Sequence, residues 1–309
     1  MTRLLIGYDG SESARGAIGA AAGLFLGAEA VIAHVHPAPP PPETGALARI
    51  ALPEPMIQEG LQRLREDIEA NARTTVEDGV QHAAAAGLQA TPCTAEAVSA
   101  WRTLRDLAER EAADLIVCGT RGQGAIDRFV VGSTASGLLH HADRPLLVVP
   151  EGEHPLDGPL LAGFDGSEGA RAALRFAAEH LRGREVIVAH AWRSPVRRSL
   201  RGQALLASSV DVLEEYADGV DAAWRDVAVE CAQEGAVFAG EHGLTAHALA
   251  PESGHGDWQT LLAAAQEAGA AAVVVGSRGR GAVASSVLGS VATGLVHAAL
   301  LPVLVVRTA

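Results

Sequence analysis

The stretch Leu4-Leu5-Ile6-Gly7-Tyr8-Asp9-Gly10-Ser11-Glu12 returns later in the chain as Leu160-Leu161-Ala162-Gly163-Phe164-Asp165-Gly166-Ser167-Glu168. Each copy joins a short apolar run to an Asp-Gly-Ser turn. An apolar run without polar alternation reads as a strand buried on both faces. The Ser that follows is a helix N-cap, and in the first copy a helical pattern runs from it to about Leu26. Strand, turn and helix open a βα unit, and its return makes the chain a tandem repeat. Gly87-Leu88 is answered by Gly243-Leu244, Trp101 by Trp258 and Gly119 by Gly276, with one residue inserted between Leu244 and Trp258. The copies are collinear from end to end. The segment from Glu151 to Gly158, with Pro155 and Gly158, reads as a short polar linker. The expected domains are residues 1–150 and 158–309.

Working outward through the first copy, Arg3 to Tyr8 is the first strand and Val31 to Val35 the second. A proline-rich loop at 37–55 precedes a long helix from Met56 to Ala86. A weak third strand, Leu88 to Thr94, leads to a helix from Ser99 to Ala112 and a fourth strand from Asp114 to Cys118. A glycine-rich loop, a helix from Ser133 to His141 and a fifth strand from Pro145 to Val149 complete the copy. Short apolar strands between helices indicate a parallel sheet covered on both faces. The fold class is therefore α/β, as two tandem doubly wound five-stranded domains. Such a sheet places a ligand crevice at the carboxyl ends of its strands, where the strand order reverses.

Composition narrows the chemistry. Of 309 residues, 48% are apolar and 20% charged, a globular balance. The net charge of −13 disfavours a nucleic-acid backbone as partner. Every one of the 24 basic residues is Arg, so a P-loop lysine, a Schiff-base lysine and a Ser–Lys dyad are excluded. The three cysteines, Cys93, Cys118 and Cys231, form no C-x-x-C pair, which points to a reducing cytoplasm. No signal peptide is expected at the N-terminus, and the apolar stretch from Ala17 to Ala28 is too short to span a bilayer.

The chemistry concentrates in a loop found twice. After the fourth strand the first copy reads Gly119-Thr120-Arg121-Gly122, nine residues, then Gly132-Ser133. The second reads Gly276-Ser277-Arg278-Gly279, nine residues, then Gly289-Ser290. Gly119 and Gly122 suit a sharp turn and a close approach of backbone to ligand. Gly132 and Ser133 open a helix, whose free N–H groups and positive dipole end suit phosphate. Arg121, Arg128, Arg278 and Arg280 add local positive charge to an acidic protein. Asp9 and Asp165 end their first strands, beside the fourth strand in a doubly wound sheet, and suit ribose hydroxyls or an adenine amino group.

With these residues the chain resembles the universal stress protein family, in its tandem, ATP-binding form. The resemblance rests on Asp9-Gly10-Ser11 and Asp165-Gly166-Ser167, on Ala33-His34 and Ala189-His190 closing the second strands, and on both glycine loops. It implies ATP, AMP or ADP in each crevice, with Mg²⁺ as a companion of the phosphates. It implies Asp9 and Asp165 at the adenine–ribose end and the backbone of Val35 and Ala191 against adenine. It implies Gly119, Gly122, Gly132, Ser133 and Thr134 around ribose and phosphates, and likewise Gly276, Gly279, Gly289, Ser290 and Val291. It also implies pairing of the two domains through their fifth strands; a homodimer of chains is then optional, and a binding role leaves room for a regulatory protein partner.

Three functions stand open on these residues: a cytoplasmic nucleotide-binding stress or regulatory protein, a slow Mg-dependent ATP hydrolase, and an assembly scaffold that binds nothing in the crevices. Gly279 to Ala284 matches G-x-G-x-x-A, but after a fourth strand, which is the wrong place for a dinucleotide fingerprint. His34 and His36 share a strand face, with packing against the crevice a better reading than a metal site. His140 and His297 are expected to pack at helix ends. Pro37 to Pro42 reads as a stiff loop, and Glu59 to Glu69 as the solvated face of a helix.

Overall fold

The computed structural model describes residues 1–38, 54–122, 131–195, 210–254, 256–279, 288–298 and 300–308. Two compact units divide the chain, Met1–Gly152 and Glu153–Ala309.

The first unit runs β1 (Arg3–Gly7), α1 (Glu12–Leu24), β2 (Glu29–His36), α2 (Glu54–Ala85), β3 (Gln89–Glu96), α3 (Ala100–Arg110), β4 (Leu115–Gly119), α4 (Ser133–His141) and β5 (Leu146–Val149). Its strands stand in the order β3-β2-β1-β4-β5 and pair in parallel throughout. The second unit repeats this with β6 (Leu160–Gly163), α5 (Glu168–His180), β7 (Glu185–Ala189), α6 (Val210–Glu241), β8 (Thr245–Leu249), α7 (Asp257–Glu267), β9 (Ala272–Gly276), α8 (Ser290–Ala298) and β10 (Val303–Val306). Its order is β8-β7-β6-β9-β10, again all parallel. Each unit is the doubly wound α/β architecture that the strand–helix alternation implies.

The central strands are apolar on both sides, and Leu4, Leu5 and Ile6 are fully buried, as are Leu115, Ile116 and Val117. They need helices on both faces. From β1 outward to β3 the right-handed crossovers carry α1 and α2 to one face; the reversal at β4 carries α3 and α4 to the other. Accordingly α1 packs on α2 and α3 on α4, and the second unit pairs α5 with α6 and α7 with α8. Glycines let these layers close. A Cβ on Gly137 of α4 would overlap the Trp101 ring of α3, and one on Gly294 of α8 the Trp258 ring of α7. Toward the C-terminal ends of the long helices, Gly79 lies against Ile32 and Tyr8, and Gly235 against Phe164 and Val188, each with room for no side chain.

Details depart from the sequence reading at the margins. The third strand runs to Glu96, past Thr94, because it ladders along the whole of β2 as far as His36. It is an edge strand, so its polar residues and Pro92 are tolerated there. His140 and His297 do not pack at their helix ends: both are exposed. His141 instead stacks on Trp101, with ring centroids 4.7 Å apart. Most of the proline-rich loop, residues 39–53, lies outside the described residues, as do Arg128 and Arg280 and most of the G-x-G-x-x-A stretch. The Glu59 to Glu69 face is exposed, with Arg63 and Glu59 paired across one turn at 2.6 Å.

Candidate functional site

Where strand order reverses, between β1 and β4, the first unit opens a cleft of about 400 Å³; its counterpart between β6 and β9 is about 560 Å³. Both volumes suit a small organic ligand. The walls follow from local sequence.

Asp9 leaves β1 into a turn whose next residue, Gly10, has φ +78°. That torsion is strained for any side chain other than glycine's hydrogen. It returns the Ser11 N–H to Asp9 Oδ1 at 3.0 Å. Ser11 Oγ then accepts from the Ala14 N–H at 3.2 Å and caps α1. The second copy matches it, with Gly166 at φ +76°, Ser167 N–H to Asp165 Oδ1 at 3.0 Å and Ala170 N–H to Ser167 Oγ at 3.3 Å. Each carboxylate is thus fixed in orientation by main chain two residues on.

The structure gives the loop glycines a steric role at the neck of the loop. Gly119, Gly122 and Gly132 all lie outside the left-handed region, so no unusual torsion requires them. They are needed for room. A Cβ on Gly122 would sit 2.5 Å from Asp9 Oδ2, and one on Gly279 would run into the Asp165 carboxylate. Gly119 meets Ser13 at the start of α1, and Gly276 meets Gly169 at the equivalent place. The loop is drawn shut at its neck: Gly132 N–H donates to the Thr120 carbonyl at 2.8 Å, and Gly289 N–H to the Ser277 carbonyl at 2.8 Å.

Beyond the neck the two helix starts in the first cleft differ. Ser11 caps α1. The N-cap of α4 is Gly132, which has no side chain to accept from the following amides. The N–H groups of Ser133, Thr134 and Ala135 have no acceptor within the helix, and these residues line the cleft. In the second unit Gly289 precedes α8, and Ser290, Val291 and Ala292 line the cleft likewise. One end of each cleft is therefore a donor cluster at a positive dipole end, suited to an anion. The same cleft holds an oriented carboxylate, Asp9 in the first unit and Asp165 in the second.

His34 and His190 tether the residue that precedes each carboxylate. Their Nδ1 atoms lie 2.8 and 2.7 Å from the carbonyls of Tyr8 and Phe164. A carbonyl only accepts, so Nδ1 carries the proton and Nε2 is the acceptor. His36 stacks beside His34 with centroids 6.4 Å apart. Among the described residues no group of three or more His, Cys, Asp or Glu is placed to hold a metal. Behind the first cleft, the Tyr8 hydroxyl donates to Asp78, and Arg15 Nε donates to the same hydroxyl at 3.3 Å. Burial raises the Tyr8 pKa, and the Tyr8 hydrogen bond lowers that of Asp78. The second unit has Phe164 in place of Tyr8, and Arg171 pairs with Glu234.

Asp9, Val35, Gly119, Gly122, Gly132, Ser133 and Thr134 all line the first cleft. Asp165, Ala191, Gly276, Gly279, Gly289, Ser290 and Val291 all line the second. Three features escaped the sequence reading. Leu104 and Leu261 add an apolar wall to each cleft. Asp257 lines the second cleft, paired with Arg193 at 2.7 Å, where the first has Ala100. In the first unit, Arg121 is ion-paired to Glu151. The alignment of Trp101 with Trp258 already sets Ala100 against Asp257, and would have flagged that difference.

The sequence profile described as "Universal stress protein family" matches residues 1–150 and again residues 158–307. A universal stress protein of Mycobacterium tuberculosis is 28% identical over 317 residues, which cover 98% of this chain and 96% of that protein. One from Mycolicibacterium smegmatis is 31% identical over 221 residues, or 67% of this chain and 65% of that protein. The chain thus spans just under two thirds of that relative's length. Among solved structures, a universal stress protein from Archaeoglobus fulgidus superposes with a TM-score of 0.57 at 19% identity, over 99% of this chain and 98% of the other. That likeness is one of fold.

Proposed function

The chain belongs to the universal stress protein family, two copies to the chain, and from that premise we propose that each half binds one adenine nucleotide, ATP foremost, in its cleft. The observation that carries the reading is a combination within one cleft: a helix start capped only by glycine, and a carboxylate locked in place by main chain. The first suits phosphate oxygens. The second accepts hydrogen bonds from ribose hydroxyls or an exocyclic amine. The backbone of Val35, near the end of β2, and of Ala191, just beyond β7, would rest against the base. Gly119, Gly122, Gly132, Ser133 and Thr134 would hold ribose and phosphates, as would Gly276, Gly279, Gly289, Ser290 and Val291. Any Mg²⁺ would take its ligands from the phosphates and water. Occupancy would act by favouring the liganded conformation, in a cytoplasmic stress-response or regulatory role.

Titration calorimetry on protein stripped of bound ligand tests this directly. ATP is expected to bind at two sites per chain. Gly122→Val drives a side chain into Asp9 and is expected to weaken one site by at least about tenfold, ~1.4 kcal/mol. Gly279→Val does the same to the other. Circular dichroism should show both variants folded. Unchanged affinity in both variants, or no binding by the stripped parent, overturns the proposal.

A further inference from the structure

We infer that the two clefts are unequal: the second is the polyphosphate site, and Glu151 holds the first in a weaker state by occupying its arginine. This rests on the reading of the clefts as nucleotide sites.

Among the described residues each cleft is lined by one loop arginine, Arg121 in the first and Arg278 in the second. Arg121 is ion-paired to Glu151, two residues beyond the end of β5. The arginine side chain is 17% exposed and the carboxylate 38%, so water only partly screens the pair. The residue in that place after β10 is Thr308, which has no charge. Among the described residues Arg278 has no ion-pair partner.

The other charged groups point the same way. Asp9 and Arg121 line the first cleft, and with Glu151, which pairs with Arg121 from outside the lining, they leave one negative charge in excess. In the second, Asp165 joins Arg278, and Asp257 is matched by Arg193 at 2.7 Å. The intervening loop sequence contains Asp127 and Arg128 in the first copy but only Arg280 in the second.

A triphosphate entering the first cleft must take the Arg121 guanidinium away from Glu151. It then has a displaced carboxylate beside its own anionic oxygens. In the second cleft the planar guanidinium of Arg278 is available for a forked, charge-assisted contact. The difference grows with each added phosphate and is small for a monophosphate.

Calorimetry on the full, ligand-stripped chain with ATP and with AMP decides it. For ATP we expect two classes of site about tenfold apart; for AMP, affinities within about threefold of each other. Glu151→Gln should strengthen the weaker ATP class by about tenfold and leave AMP nearly unchanged. Thr308→Glu should weaken the tight class, and Arg278→Gln should weaken it for ATP more than for AMP. Equal ATP affinities in the parent, a split equally large with AMP, or no response to Glu151→Gln would each overturn the inference while leaving two nucleotide sites standing. Failure of any adenine nucleotide to bind removes the nucleotide reading itself, and this inference with it.

Discussion

At the residue scale, one side chain fixes the chemistry of the next. Asp9 has its orientation from the Ser11 amide, and Gly122 is glycine because Asp9 lies against it. The Asp-Gly-Ser turn was legible in the sequence, since its residue types encode local bonds. That Asp9 faces the glycine loop follows from β1 lying beside β4; that it sits close enough to Gly122 to exclude a side chain was not legible. Separations of 30 and 70 residues hid Arg121 from Glu151 and Tyr8 from Asp78. Cysteine reactivity offers a test at this scale. Cys118, on β4 just before Gly119, lines the first cleft, and burial pushes its thiol up to about 12. At pH 8 it is almost wholly protonated and therefore unreactive. Cys231 is buried and Cys93 only partly so. A maleimide added to the native protein at pH 8 should label Cys93 first, with Cys118 and Cys231 labelled only after denaturation. Mass spectrometry of the labelled peptides checks the order; early labelling of Cys118 would contradict the buried β4.

At the element scale, apolar strands and capped helices were readable because burial on both faces leaves no alternation to misread. The edge strands were harder. β3 shows little periodicity, and its extent is set by the partner it ladders with rather than by its own side chains. Also illegible was the purpose of glycines inside helices, where glycine costs about 1 kcal/mol relative to alanine. Gly137 and Gly294 repay that by letting α4 and α8 sit on a tryptophan of the neighbouring helix. Despite the better helix propensity of alanine, Gly137→Ala and Gly294→Ala should each destabilise their unit by about 1–3 kcal/mol, because the added methyl overlaps the indole. Urea denaturation measures this. A neutral or stabilising effect in both would mean that the helix pairs are more loosely packed than described.

For the molecule as a whole, duplication repeats an architecture and lets its electrostatics drift. The strand order, the Asp-Gly-Ser turns, the histidine tethers and the glycine-for-space positions are shared. The ion pairs Arg121–Glu151 and Arg193–Asp257 each belong to one copy only. Ligand linkage is measurable at this scale. Nucleotide at about 100 times its dissociation constant adds about 2.7 kcal/mol to the unit that holds it, or roughly 5–10 °C in its unfolding midpoint. Differential scanning calorimetry should show stabilisation with ATP, and the unit containing the tighter cleft should respond at the lower concentration. A midpoint indifferent to ATP would mean that the folded clefts take up no nucleotide.

The backbone bond from Gly132 to the Thr120 carbonyl, with its twin at Gly289, has a further consequence. It clamps the stem of an insertion without regard to what lies between. New sequence can be spliced into either span, a fluorophore site or a short epitope for instance, while the flanking walls keep their footing. Evolution could specialise the two spans separately by the same route, and an engineer could turn each half into its own reporter.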